Sequence, residues 1–296
     1  MFNRLQYYLP SLQQCWVIVF FLIAVGGLGV GMLLQAAGMV LGFDVASLNP
    51  LLSYVLPLIP AFLYIYFSAP ETGQTAGQAA WKAAGHATGQ ATGQAVPLQE
   101  SNWGKVNPLV AYPLLAIATI AMGFVSEPLS SWLPMPEHIK AIFEKILSDS
   151  LWAFLATVIA APVLEEFLLR GIIERGLLHW MSPWKAILWS AFFFAVIHLN
   201  PWQATGAFIA GILFGWIYWK TRSLVACIFV HMTNNGTAYL MQYIFPQLPP
   251  DSTYKDLFNT YAPGYYCIVF VIFAVLLAAI LLYLNNNLGR KAAETE

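Results

Sequence analysis

Apolar residues in this chain come in runs of similar length, separated by short polar stretches. The runs lie at 15–41, 51–69, 108–126, 150–178, 184–199, 202–219, 223–245 and 264–285. An α-helix needs roughly 20 apolar residues to cross a ~30 Å hydrocarbon core; the fifth and sixth runs are the shortest. Inside that core every backbone N–H and C=O must find a partner within the protein. The pattern therefore predicts an all-α, polytopic membrane helical bundle of about eight transmembrane helices.

The polar stretches differ among themselves. Residues 127–149 combine Pro turns with an amphipathic segment that places Ile139, Ile142, Phe143 and Ile146 on one face, the pattern of an interfacial helix. Residues 246–263, rich in Pro, Asp and Thr, form a second sizeable loop on the same side. Between the second and third runs Gly73, Gly77, Gly85, Gly89 and Gly93 recur every four residues, with Trp81 in the missing place. So Gly-rich a repeat (73–94) predicts a flexible cytoplasmic linker rather than a small-residue packing face, and its His86 is assigned no chemistry.

Composition agrees with a membrane protein. The 296 residues are 59% hydrophobic and 9% charged, with a mean hydropathy of +0.66. A net charge of −1 implies no nucleic-acid partner. Cys15, Cys227 and Cys267 have neither disulfide-framework nor metal-ligand spacing. With eight spans, one side receives ten Lys and Arg (Arg4, Lys82, Lys105, Arg170, Arg175, Lys185, Lys220, Arg222, Arg290, Lys291) and the other only Lys140, Lys145 and Lys255. The positive-inside rule then predicts cytoplasmic termini. The first apolar run is expected to stay as an anchor, because it is long and lacks a clear small-residue cleavage site. No Cys stands four residues from the end, so the chain is not expected to be prenylated itself. Compact loops favour a bacterial plasma membrane.

Against this background "APVLEEFLLRG" at 161–171 is anomalous. A charge at the bilayer centre costs about 2.5–3.5 kcal/mol on insertion scales and requires a partner or water. Glu166 and Arg170 are four residues apart with the acid first, the favourable order for an ion pair. Glu165 points about 100° away and is left for another task. Pro162, one turn before the acids, either kinks the helix or frees a carbonyl and opens room for water at Glu165. Two later runs supply polar partners: Phe194 and His198 share one helix face, as do His231 and Asn235. Each group also has a structural reading: an ion pair for Glu166–Arg170, and interhelical hydrogen bonds for His198 and Asn235. His138 and His179 read as solvated residues in or near loops.

The motifs "EEFLLR" (165–170), "FAVIH" (194–198) and "HMTNN" (231–235) occur in order on predicted spans. In them the chain resembles the CPBP family of intramembrane endopeptidases, which includes the CAAX prenyl proteases and the Abi proteins. The resemblance covers about 150–240. It implies an enzyme in which Glu165 and His198 position and deprotonate a water, His231 and Asn235 stabilise the oxyanion, and Glu166, Arg170 and Phe194 support the site. A carboxylate kept from bulk water is suited to general-base work. Glu165, His198 and His231 would also make a zinc-ligand set, in which case Glu166 becomes the base. The implied substrates are membrane-associated or lipidated peptides, CAAX-like prenylated ones included.

On this reading the chain divides into N-terminal helices with the Gly-rich insert and interfacial helix (1–149), a CAAX-protease-like core (150–245), and a loop with the last span (246–296). Two other classes compete. One is a non-catalytic membrane scaffold or bacteriocin-immunity protein. The other is a proton-coupled transporter, against which stands the lack of two similar halves.

Overall fold

The computed structural model describes residues 2–42, 48–69, 96–148, 150–249 and 251–289; the Gly-rich repeat and His86 lie outside them. The protein is an all-α membrane bundle. The helices are α1 (Leu12–Leu41), α2 (Pro50–Ser68), α3 (Pro108–Ser130), α4 (Glu137–Ile146), α5 (Leu151–Trp180), α6 (Pro183–Ile197), α7 (Pro201–Thr221), α8 (Leu224–Ile244), α9 (Tyr254–Tyr261) and α10 (Tyr266–Asn287). Each apolar run is helical, and the amphipathic segment before the fourth run forms the helix α4, with no buried residue. The short α9 stands where the pattern predicted only loop. Its start is fixed by a capping box between Thr253 and Asp256, whose donors hold the Asp256 carboxyl below its usual range.

Three helices begin with the same pair: Asn49-Pro50, Asn107-Pro108 and Asn200-Pro201. Each Asn side chain accepts from an N–H of the first turn, and each Pro occupies a position whose N–H would be unpaired anyway. Such starts suit segments that enter lipid.

Five helices (α1, α2, α3, α5 and α10) are long and apolar enough to cross a membrane. α6 has 15 residues, or about 22 Å at 1.5 Å per residue. α7 and α8 have 21 residues each but fall short in apolarity, so hydropathy alone gives five spans rather than eight. The physical reason is position. α10 is apolar throughout and buries only Ile280 and Leu284, whereas α7 and α8 carry polar side chains, Gln203, His231, Asn234 and Asn235 among them, that are sheltered within the bundle.

Long-range hydrogen bonds gather the helix ends into two layers. At one, Val96 N–H donates to Gln6 O, Asn102 N–H to Thr221 O and Lys105 N–H to Asn287 O. Arg175, counted above among the loop cations, is 1% exposed there, and its guanidinium serves the carbonyls of Leu5, Gln6, Tyr8, Val96 and Gly171. It locks the N-terminal turn to α5. At the other layer, Trp202 Nε1 donates to Pro134 O at 2.9 Å, Tyr254 N–H donates to the Glu127 carboxylate, and Lys140 pairs with Asp251 at 3.1 Å.

Gly26 sets how closely α1 and α2 approach. A Cβ there would stand 1.8 Å from Pro57 O, so only Gly permits this crossing. Gly26→Ala is expected to push α2 outward and lower the melting temperature in detergent, by about 1–3 kcal/mol equivalent for overpacking; an unchanged Tm would count against this contact.

Candidate active site

α5 carries most of the site, and its backbone is irregular on both sides of the acids. Residues 155–160 and 167–174 are π-helical, with the α-helical turn Ala161–Glu166 between them. Such wide turns recur at functional sites. Ala161 N–H reaches back five residues to Ala156 O. In that register the carbonyl of Thr157 would be served by residue 162, but Pro162 has no N–H. Asn235 Nδ2 donates to Thr157 O instead, at 2.9 Å. Pro162 does free a carbonyl, as the sequence suggested, but α8 takes it up. Asn235 Oδ1 accepts from Asn234 Nδ2, which leaves Asn235 one N–H to offer.

This arrangement makes a paired prediction. Asn235→Ala strands a carbonyl and is expected to cost about 1–3 kcal/mol. Pro162→Ala restores the missing N–H, so the double variant should recover part of that loss in thermal unfolding; a strictly additive double variant would refute the link.

Glu165 and Glu166 have separate partners. Glu165 Oε1 accepts from the Tyr54 hydroxyl of α2 at 2.6 Å, and Oε2 lies 3.8 Å from His231 Nε2. Glu166 Oε1 accepts from Arg170 Nη1 at 2.9 Å and from His231 Nδ1 at 2.8 Å. The expected Glu166–Arg170 pair is therefore present and fully buried, and it also fixes His231 with Nδ1 protonated. Arg170 Nη2 donates to Gly211 O at 2.9 Å, and its guanidinium lies over the rings of Phe194 and Phe214.

His198 ends α6 at a tight corner. Its Nδ1 donates to Phe194 O at 2.7 Å, which leaves an Nε2 lone pair. Leu199 follows with φ +55°, and Asn200 then caps α7 while donating to His198 O. A non-Gly residue in that region is held only by its surroundings, so the corner is a defined feature of the site. Phe194 packs edge-on against both His198 and His231, at 4.9 and 5.3 Å between ring centroids. It spaces the two imidazoles and covers Arg170.

A cavity of ≈790 Å³ has Tyr54, Glu165, Phe194, His198, His231 and Asn235 among its lining residues. Glu166 and Arg170 stand behind that wall. All seven residues singled out in the sequence thus belong to one connected cluster. Residues 147–237, about a third of the chain, match the family model for type II CAAX prenyl endopeptidase, Rce1-like. This stretch belongs to the CPBP family. Comparison with curated proteins and with solved structures returned no match.

Three contributors to this cluster were not found in the sequence. Tyr54 lies 111 residues from Glu165 in an ordinary apolar run, and nothing local marks it. Glu174 is fully buried, with Oε2 3.7 Å from Arg170 Nε; it is a third intramembrane acid, one turn past Arg170. Gly215 makes room for it, since a Cβ there would meet Glu174 Oε2 at 2.7 Å. The spacing of Gly211 and Gly215, a small-xxx-small step on α7, was the available signal.

The zinc-ligand set can be tested against this geometry. Both histidines anchor Nδ1 on an acceptor and leave Nε2 free, as metal ligands do. Yet among the described residues no three His, Cys, Asp or Glu side chains converge so as to hold an ion. As arranged, Glu165, His198 and His231 do not converge on one point.

Proposed function

We propose that the protein is an intramembrane endopeptidase that hydrolyses membrane-associated or lipidated peptides with a water activated by Glu165. The family match supports a CAAX-type protease at the level of class. The observation that carries the finer reading is the division of labour between the two acids. Glu166 is spent on Arg170 and His231, whereas Glu165 keeps Oε2 free at the cavity wall. Glu165 takes the proton of the attacking water, and His198 Nε2 holds that water as acceptor. His231, its Nδ1–H on Glu166, enters the cycle with a proton from solvent on Nε2 and keeps it throughout, so that its Nε2–H and the remaining N–H of Asn235 are the donors for the oxyanion. The proton on Glu165 then passes to the leaving amine.

The cavity walls suit such a substrate, with apolar Leu22, Leu58 and Met122 beside Ser126, Ser130 and Gln203. The test is cleavage of a quenched fluorescent peptide library, with and without farnesyl groups, by the purified protein before and after chelation. Cleavage that survives chelation supports the water-and-carboxylate route; loss on chelation with recovery on added zinc replaces it with a metal-dependent one. No cleavage of any peptide would remove the basis of the proposal.

Tyr54→Phe keeps the ring and deletes only the donor to Glu165. It is expected to lower kcat by on the order of 10-fold, comparable to the loss of a hydrogen bond of about 1.5 kcal/mol, with KM little changed. An unchanged kcat would remove Tyr54 from the site.

A further inference from the structure

The cavity is one-sided. Beyond the site it is lined by Ser130, Pro134, Phe143, Ile146, Asp251 and Thr253, all at or near the layer where Lys140 meets Asp251 and Trp202 meets Pro134. No residue of the opposite layer, at 2–11, 96–107, 174–190, 216–226 or 284–289, lines it. Among the described residues Lys140, Lys145 and Lys255 stand at the mouth end, whereas Arg4, Lys105, Arg175, Lys185, Lys220 and Arg222 lie at the opposite layer and Arg170 is buried between them. Lys140 is already paired with Glu137 and Asp251, which hold its ammonium above its usual value. The lining contains three carboxylates, Glu127, Glu165 and Asp251, and no Lys or Arg.

Short loops rich in Lys and Arg stay in the cytoplasm, whereas acidic residues contribute little to orientation. The mouth therefore faces away from the cytoplasm. We propose that this site takes its substrate from the extracytoplasmic side of the membrane: a peptide segment, neutral or basic near the scissile bond, presented at the outer face. The carboxylate-lined mouth repels a free C-terminal carboxylate and attracts cationic flanks. The proposal rests on the endopeptidase reading for its substrate class, but its geometry does not.

The experiment separates the two. In a Cys267→Ser background, which removes the one exposed thiol among the described residues, Thr260→Cys marks the mouth layer and Ser101→Cys the opposite one. A membrane-impermeant maleimide applied to intact bacterial cells is expected to label the Thr260→Cys protein, and to label Ser101→Cys only in inverted vesicles. The reverse pattern overturns the proposal whether or not any peptide is cleaved. Impermeant quenched peptides flanked by Lys or by Glu are then offered to right-side-out and inverted vesicles. Cleavage at least 10-fold faster in right-side-out vesicles, with Lys flanks preferred, is expected; faster cleavage in inverted vesicles overturns the proposal. If detergent-solubilised protein cleaves neither peptide, the endopeptidase reading fails, while labelling still decides the orientation of the mouth.

Discussion

Glu165→Gln is expected to lower kcat for peptide hydrolysis by on the order of 10²–10⁴-fold, the usual contribution of a general base, while KM changes little. The substitution is close to isosteric, and the amide oxygen can still accept from the Tyr54 hydroxyl, so the link between α2 and α5 survives. It removes only the basic lone pair that faces the cavity. Glu165 is 9% exposed at the wall, whereas Glu166 is fully buried behind it. Glu166→Gln therefore behaves differently, weakening an acceptor shared by Arg170 and His231 and costing stability as well as rate. Measuring kcat beside the melting temperature in detergent separates the two carboxylates. If Glu165→Gln cleaves as fast as wild type, the assignment of the base is wrong. If it also complements fully in cells, the scaffold reading gains the ground that the peptidase loses.

The legible part of this protein was its periodic part. Runs of apolar residues gave every long helix, because a lipid core permits little else. The acid, His and Asn positions were legible because they violate the pattern around them. What escaped was whatever depends on contacts between distant segments. Tyr54 is one more aromatic in an apolar run until α2 is laid against α5. Glu174 was passed over because it lies near the end of α5 beside Arg175, where charges read as interfacial; only the approach of α7 at Gly215 shows that it is sealed in. The π-helical register around Pro162 has no sequence signature of its own, and it decides which carbonyl Asn235 must serve.

The largest expected loss of stability belongs to Arg170→Met. Arg170 is the hub of a buried chain that runs from Tyr54 and Glu165 through His231 and Glu166 to Glu174. Without it Glu166 keeps only the bond from His231 Nδ1, and Glu166 Oε2 and both oxygens of Glu174 have no hydrogen-bond donor. Removing one partner of a buried ion pair leaves an uncompensated charge, at a cost of about 3–5 kcal/mol. Arg170→Met takes the cation from two carboxylates at once. Methionine approximates the length of the Arg stem, so lost packing is a minor part of the effect. The melting temperature in detergent should therefore fall further than for any other single substitution considered above. Glu174→Gln added to Arg170→Met should restore part of the loss, because it removes one stranded charge. A double variant no more stable than Arg170→Met alone would mean that Glu174 is already neutral or hydrated in the folded protein. Activity supplies the second readout: without Arg170 the hold of Glu166 on His231 weakens, so turnover should drop even at temperatures where the protein stays folded. A variant that is destabilised but turns over normally when cold would place Arg170 in the fold and outside the reaction.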